Sequence, residues 1–223
     1  MSTKLKHVSF IMDGNNRWSK KKKFELSKGY TSGAYKLIKL TTHIFKNYDV
    51  KYVSAFALSK NNLNRSKIII STIKNVLLDF LNKYEENYTF DFKIKFIGDL
   101  NFLNKKIRNK IKVIENINIP TKNNLIIFIN YSGQSDITNS ITTLNKFSKI
   151  NELSFSKILN TKNLPDPDLL IRTGGYQRLS NFMLYQLAFT ELYFTKKLWP
   201  DLTNTDIDKY LKNFHRTDRK FGL

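Results

Sequence analysis

The chain has 223 residues, 41% of them hydrophobic and 25% charged, which are the proportions of a soluble globular protein of one domain. It contains no cysteine, and this excludes a disulfide framework and a thiolate metal site. No apolar run approaches the roughly 18 residues of a membrane span. The first residues also lack the apolar region of a signal peptide, so a cytoplasmic protein is expected.

The formal net charge is +20, and 31 of the 38 basic residues are lysines. Such an excess suits nucleic-acid binding. Apart from the run Lys20–Lys23, however, the lysines are scattered among apolar positions at helical spacing, as on solvated helix faces. No nucleic-acid partner is therefore expected. The charge would still attract anionic substrates or the acidic lipids of a membrane surface.

Six short runs of β-branched, aromatic and aliphatic residues are predicted as buried strands: Val8–Met12, Tyr52–Leu58, Phe92–Ile97, Leu125–Asn130, Leu169–Arg172 and Leu192–Phe194. Helix-length stretches alternate with them, near Gly33–Tyr48, Lys67–Tyr84, Phe102–Asn116, Ser135–Phe147 and Asp206–Phe214. This alternation favours the α/β class, with a mostly parallel six-stranded sheet flanked by helices. No linker rich in proline, glycine or serine divides the chain, so one domain over residues 1–223 is expected.

The first predicted strand leads into Asp13–Trp18, a carboxylate followed by glycine, two amides, arginine and tryptophan. The carboxyl end of a strand in an open α/β sheet faces the crevice where ligands bind. Backbone N–H groups of the following turn suit a phosphate or diphosphate, and Asp13 suits the Mg²⁺ that such a group brings. The alternative is that Asp13 only caps the next helix.

The predicted helix Lys67–Tyr84 has an unusually wide apolar surface. One stripe consists of Ile69, Ile73, Val76, Phe80 and Tyr84, and a second of Ile70, Leu77 and Leu81. Packing against one sheet face needs a narrower arc. The helix is therefore either buried in the core on two sides, or lines an apolar cavity or a partner contact with one of them.

The fifth predicted strand ends at Arg172, and a Thr-Gly-Gly turn then leads to Arg178 and Ser180. Arginine forks match phosphate oxygens, and glycines allow backbone N–H groups to approach an anion. The segment predicts a diphosphate clamp, although either arginine alone could serve a structural salt bridge.

Segments along almost the whole chain together resemble the cis-prenyltransferases, most closely the bacterial undecaprenyl diphosphate synthases. They are His7–Trp18, Gly29–Ala34, Ser59–Arg65, Ile97–Asp99, Asn130–Ile137, Ile171–Phe182, Gln186–Phe194, Leu198–Asp201 and Phe221–Gly222. The resemblance implies a Mg²⁺-dependent transferase that adds isopentenyl diphosphate units in cis to an allylic primer such as farnesyl diphosphate. The implied product is undecaprenyl diphosphate, the precursor of a lipid carrier for cell-wall polysaccharide.

The resemblance also assigns roles to individual residues. Asp13 and Asn62 would be catalytic, with Asn62 positioning substrate while a diphosphate oxygen takes the proton. Asp13 and Glu191 would hold Mg²⁺, and Glu191 would reach across a homodimer. Substrate binding would fall to Gly14, Asn15, Asn16, Arg17, Trp18, Ser59, Arg65, Arg172, Arg178 and Ser180. The family also implies an apolar tunnel for the growing chain and a peripheral contact with the inner face of the plasma membrane.

Several positions depart from the usual family residue. Asn16 stands in place of Gly, Gln134 and Lys220 stand in place of Arg, and Gln177 stands in place of His. At four positions where the resemblance places substrate-binding residues, Leu26 replaces Arg, Tyr30 replaces His, Asn61 replaces Glu and Leu63 replaces an aromatic residue, so these four are the weaker substrate-binding candidates. Because Asp13, both clamp arginines and Glu191 remain, an active enzyme is expected, with primer affinity, pH dependence or product length open to change. A shorter-chain synthase and a non-catalytic partner subunit are the alternatives.

Overall fold

The computed structural model describes residues 4–64, 66–87, 90–144 and 151–217. Six strands form one sheet in the order β3-β4-β2-β1-β5-β6, and every neighbouring pair is parallel. The strands are β1 His7–Ile11, β2 Tyr52–Ser59, β3 Lys93–Ile97, β4 Asn124–Tyr131, β5 Leu169–Arg172 and β6 Glu191–Phe194. All six predicted strands are thus confirmed, and the sheet is parallel throughout.

Seven helices accompany the sheet in the described residues: α1 Asn15–Lys21, α2 Leu26–Asn47, α3 Lys67–Asn87, α4 Lys105–Glu115, α5 Gly133–Leu144, α6 Glu152–Ser156 and α7 Asn204–Arg216. Short 3₁₀ turns occupy Lys60–Asn64, Leu100–Phe102 and Trp199–Asp201. The five helices predicted with bounds are α2, α3, α4, α5 and α7, and all are present. The helix expected after Asp13, for which no bounds were predicted, is α1, and α6 was not predicted. The predicted end of α5 at Phe147 lies outside the described residues.

Helix α2 begins at Leu26, so the prediction of a start near Gly33 is wrong. Its glycines lie inside the helix because α1 packs directly against them. A Cβ atom on Gly29 would lie 2.3 Å from Ser19 Oγ, and one on Gly33 would lie 2.3 Å from Asn15 Oδ1. This close contact holds the start of α1 against α2, beside the end of β1.

The core fills both faces of the sheet. Phe10 on β1 packs against Trp199, with 5.4 Å between ring centroids, while Phe56 on β2 stacks on Phe182 at 4.6 Å on the other face. Strand β1 has β2 on one side and β5 on the other, so chain connections diverge to both sides of it. This is the topological switch point of the sheet, where α/β proteins bind ligands.

A buried polar group lies at the amino end of β1. His7 is fully buried; its Nδ1 lies 2.7 Å from Pro165 O and its Nε2 lies 2.9 Å from Ser54 Oγ. Burial lowers the pKa of His7 from 6.5 to about 4, so the ring is neutral near pH 7. In the part of the chain that the structure describes, no helix has the length and apolar character needed to cross a membrane.

Candidate active site

A cleft of about 890 Å³ opens at the carboxyl end of the sheet. Strand β1 ends just before Asp13, β5 ends at Arg172 and β2 ends at Ser59, and all three residues line this cleft. Parallel strands deliver their carboxyl ends to one edge, which explains why residues so far apart in sequence meet there.

The carboxylate of Asp13 lies between two guanidinium groups. Its Oδ1 is 3.1 Å from Arg17 Nη2, and its Oδ2 is 3.1 Å from Arg172 Nη2. The backbone N–H of Asp13 donates to the Thr173 hydroxyl at 3.0 Å. The residue that caps α1 is Gly14, with φ +115° and no side-chain cap hydrogen bond. The alternative role of Asp13 as a helix cap is therefore wrong.

Asp13, Arg17 and Arg172 form a charged cluster. Arg172 is its buried member, with only 3% of its side chain exposed. Its Nη1 donates to Ser180 Oγ at 2.7 Å and to the backbone oxygen of Arg178. Burial lowers the pKa of Arg172; Asp13 opposes this effect, and the charges of Arg178 and Arg17 add to it. Its guanidinium is nevertheless charged at neutral pH, because arginine does not deprotonate in proteins.

The Gly174-Gly175 turn does not offer its N–H groups to an anion. These groups donate to Lys197 O at 2.7 Å and to Thr195 O at 2.9 Å, so the prediction of a backbone phosphate cradle at this turn is wrong. Both glycines have positive φ, +86° and +82°. Gly174 also makes room for the cluster, because a Cβ atom there would lie 2.4 Å from Arg17 Nη2.

Most of the predicted site residues line the cleft together. These are Asp13, Gly14, Asn15, Asn16, Arg17, Tyr30, Ser59, Asn61, Asn62, Arg172, Arg178 and Ser180. Asn61 and Asn62 reach it from the 3₁₀ turn that follows β2. Asn16 occupies the second position of α1, which needs no glycine. The prediction for Arg65 lies outside the described residues.

Three predicted residues do not line the cleft. The indole of Trp18 donates to Asp201 Oδ1 at 2.7 Å and packs on Phe24, so it fastens α1 to the turn before α7. Leu26 begins α2, and Leu63 packs against the core. Direct substrate contact by these side chains is therefore not supported, since none of the three lines the cleft.

Glu191 lies at the opposite end of the sheet from Asp13 within one chain. Glu191 starts β6, where it pairs with Leu169 at the start of β5. Asp13 lies beyond Ile11, which pairs with Arg172, three residues further along β5. That offset alone is about 10 Å, and β5 separates the two strands, so Asp13 and Glu191 of one chain cannot share a Mg²⁺ ion. Among the described residues, no group of three or more His, Asp or Glu side chains could hold a metal ion.

Two apolar cavities between α2 and α3 lie next to the cleft. The first, about 100 Å³, shares Tyr30 and Ile73 with the cleft, and the second, about 330 Å³, shares Val76 and Phe80 with the first. This arrangement matches the predicted apolar tunnel. All but one residue of the first stripe of α3 line these cavities; the exception, Ile69, lines the cleft instead. Leu81 of the second stripe belongs to the core, so each interpretation of the wide apolar surface holds for part of the helix.

Sequence reasoning missed Tyr176, Asn181 and Ser66 as cleft residues. Tyr176 has 43% of its surface exposed, and its ring lies beside three guanidinium groups. The available signal was its position, because it is the aromatic residue between the paired glycines and Arg178.

Comparisons with known proteins agree with this geometry. The family model described as "Putative undecaprenyl diphosphate synthase" matches residues 11–222. An isoprenyl transferase of Fusobacterium nucleatum is 37% identical over 97% of this chain and 95% of its own. A Coxiella burnetii ditrans,polycis-undecaprenyl-diphosphate synthase specific for (2E,6E)-farnesyl diphosphate is 35% identical, over 98% of this chain and 96% of its own.

Solved structures show the same fold. Lavandulyl diphosphate synthase from Lavandula x intermedia, in complex with dimethylallyl diphosphate, has a TM-score of 0.88 and 32% identity over 97% of this chain and 98% of its own. A probable undecaprenyl diphosphate synthase from Campylobacter jejuni has a TM-score of 0.79 and 29% identity, over 99% of this chain and 100% of its own. The chain therefore belongs to the undecaprenyl diphosphate synthase family of prenyltransferases.

Proposed function

We propose that this protein is a Mg²⁺-dependent cis-prenyltransferase. It condenses isopentenyl diphosphate units onto an allylic primer such as farnesyl diphosphate and makes a polyprenyl diphosphate of the undecaprenyl type. The observation that carries the proposal is the Asp13 carboxylate held between Arg17 and Arg172, where a polar cleft joins an apolar cavity. Such a site suits substrates with an anionic head and an isoprenoid tail.

Two anionic groups are accommodated by the two sides of the cluster. Arg17, with Gly14, Asn15 and Asn16 at the start of α1, takes the diphosphate of the allylic primer. Arg172, Arg178 and Ser180 take that of isopentenyl diphosphate. Guanidinium groups bind phosphate oxygens in pairs, which fixes the orientation of each substrate as well as its affinity.

Asp13 is a suitable ligand for Mg²⁺. The ion commonly binds through one or two carboxylates together with substrate phosphates, and 30% of the Asp13 side chain is exposed toward the cleft. Arg17 and Arg172 occupy both carboxylate oxygens, and arriving diphosphates compete for these guanidiniums. The chemistry that a bound Mg²⁺ supplies is stabilisation of negative charge on the diphosphate.

The reaction forms a bond between C4 of isopentenyl diphosphate and C1 of the primer while the C1–O bond breaks. The electron pair leaves with the diphosphate, and Arg17 helps to stabilise its charge. A proton is then lost from C2 of the isopentenyl unit, leaving a cis double bond. Asn62 lies in the cleft but is a neutral amide, so it orients the substrate while a diphosphate oxygen accepts the proton.

A homodimer completes the proposal. In the described residues β6 has one neighbouring strand, and at this edge Phe189 and Leu192 are 64% and 42% exposed. Pairing two copies at this edge would cover apolar surface. In the proposed dimer, Glu191 of one copy completes the Mg²⁺ site at Asp13 of the other, since the two residues of one chain are too far apart to share an ion.

We also propose a cytoplasmic protein that contacts the inner face of the plasma membrane when it releases product. Lys20–Lys23 are exposed at the end of α1, and Phe24 beside them is 49% exposed. Each lysine near an anionic membrane contributes about 1 kcal/mol. Sedimentation with anionic vesicles, but not with neutral ones, is the expected result.

The direct test is incorporation of labelled isopentenyl diphosphate with farnesyl diphosphate and Mg²⁺, followed by chromatography of the products. We expect a polyprenyl product from the wild type, none from Asp13→Ala, and wild-type activity from Asp49→Asn, since Asp49 is an exposed partner of Lys4 and Lys51. Full activity of Asp13→Ala would refute the mechanism. A wild type that is inactive alone but stimulates another subunit would indicate the non-catalytic alternative.

Mixing two inactive variants tests the dimer. If Glu191 acts across it, random mixing of Asp13→Ala and Glu191→Ala subunits restores about a quarter of wild-type activity, because half of the dimers are mixed and each has one intact site. No recovery after verified subunit exchange would contradict the shared site.

A further inference from the structure

The ring of Tyr176 is a common neighbour of three arginines. The guanidinium carbon of Arg178 lies 4.2 Å from the ring centroid, that of Arg17 lies 5.0 Å away and that of Arg172 5.7 Å away. The three come from the turn after β5, from α1 and from β5 itself. Each is within the roughly 6 Å over which a cation is attracted to an aromatic face.

The three arginines are not equally restrained by other contacts. Arg17 and Arg172 share the carboxylate of Asp13, and Arg172 is also buried. Arg178 is exposed, and among the residues that the structure describes its guanidinium has no ion pair. The closest aromatic contact of the cluster is made by this least restrained arginine.

Repulsion also acts within the cluster. Three guanidiniums surround one ring, and the Asp13 carboxylate contacts two of them, Arg17 and Arg172. One carboxylate cannot balance three positive charges, and Arg178 and Arg17 both repel Arg172. The negative face of an aromatic ring attracts cations without neutralising them. A ring at this place therefore holds the arginines near one another and leaves their charge available to an anion.

We propose that Tyr176 is a positioning residue that holds Arg178 in place for the diphosphate of isopentenyl diphosphate. The inference rests on the proposed function, since it assumes that the arginines bind that diphosphate. An exposed arginine side chain without this ring samples many rotamers, and ordering it on binding costs affinity. The ring reduces this cost before the substrate arrives. It does not touch the reacting carbons, so its effect is on binding and not on the chemical step.

Two variants distinguish the effect of the aromatic face from that of side-chain volume. Tyr176→Phe keeps the aromatic face, and Tyr176→Leu keeps an apolar side chain without an aromatic face. We expect Tyr176→Leu to raise the Kd of inorganic diphosphate, measured by calorimetry, about 3- to 5-fold, and Tyr176→Phe to change it by less than about 2-fold. The KM for isopentenyl diphosphate should follow the same order, with kcat unchanged. Thermal melting confirms that both variants are folded, since the position is 43% exposed.

The same substitution in an Arg178→Ala background tests the partner. If Tyr176 acts through Arg178, Tyr176→Leu has almost no further effect on the Kd when Arg178 is absent. Equal losses in both backgrounds, equal Kd values for the Phe and Leu variants, or a fall in kcat at constant KM would each overturn the inference while leaving the proposed function intact. A wild type that binds no diphosphate would overturn both.

Discussion

Asp13 and Arg172 are 159 positions apart in sequence, yet Oδ2 of the carboxylate lies 3.1 Å from Nη2 of the guanidinium. Asp13 follows β1, and Arg172 is the last residue of β5. The two strands pair in parallel, with Ile11 opposite Arg172. The pairing register therefore fixes this contact. Because Arg172 also donates to Ser180, one side chain joins Asp13, the proposed metal ligand, to the predicted diphosphate clamp.

Arg172→Lys should separate the charge of this residue from its shape. Lysine keeps the positive charge but cannot serve Asp13 and Ser180 with a fork. Losing a hydrogen bond to a charged group costs about 1.5–3 kcal/mol, so kcat/KM for isopentenyl diphosphate should fall about 10- to 100-fold in steady-state assays. Arg108→Lys is the control, because Arg108 contacts Asn101 away from the cleft. A fully active Arg172→Lys enzyme would mean that charge alone suffices.

The two glycines after Arg172 offer a matched pair. Alanine at either position adopts a positive φ and should lower the free energy of unfolding by about 1–2 kcal/mol. Only at Gly174 does the new Cβ meet Arg17, at 2.4 Å, whereas at Gly175 the nearest atom is 3.8 Å away. We therefore expect Gly174→Ala, but not Gly175→Ala, to raise the KM of the allylic primer, by about 10-fold if the Arg17 contact is lost. Denaturant unfolding and kinetics of both variants check this; equal KM values would show that Arg17 accommodates the methyl group.

The strands were predictable because a parallel sheet buries both faces, so each strand is a nearly continuous apolar run. Leu169–Arg172 is such a run and is buried throughout. The start of α2 was not predictable from local preference. Gly29 and Gly33 resemble helix breakers, and only their tertiary contact with α1 explains why they lie inside a helix. Helix α6 was missed because it is only five residues long.

The candidate site was predictable where a residue stands at a strand end, as for Asp13 and Arg172. It was not predictable where side-chain direction or loop geometry decides the contact. The indole of Trp18 turns to Asp201, and the N–H of Gly174 turns to Lys197. Tyr176 belongs to the site because a turn folds it back over the arginines, and no periodicity in the sequence reports such a turn.

Phe80 is expected to limit product length. It lines both apolar cavities between α2 and α3, which under the proposed function take up the growing chain. Phe80→Ala enlarges this space and should shift the products toward longer chains. Ile70→Ala is the control on the same helix, because Ile70 packs against the core and is not among the residues that line these cavities. Chromatography of the dephosphorylated products should show longer chains for Phe80→Ala alone; an identical shift for both variants would indicate a general loosening of α3.

The buried His7 predicts a loss of stability in mild acid. Its folded pKa is about 4, below the ordinary 6.5, so the unfolded chain binds a proton that the folded chain does not. This contribution is fully present above about pH 6.5 and is lost as the pH falls from 6.5 to 4. A shift of this size corresponds to about 3 kcal/mol. We expect the free energy of unfolding, measured with urea, to decrease over this range.

The variant His7→Gln isolates this effect from other titrating groups. It is less stable at neutral pH, because Pro165 O and Ser54 Oγ lose well-placed partners. Without the imidazole, however, the free energy of unfolding should fall less steeply between pH 6.5 and 4. His215→Gln, at an exposed site near the end of α7, should keep the wild-type slope. If His7→Gln kept that slope as well, the acid sensitivity would have to come from titrating groups other than His7.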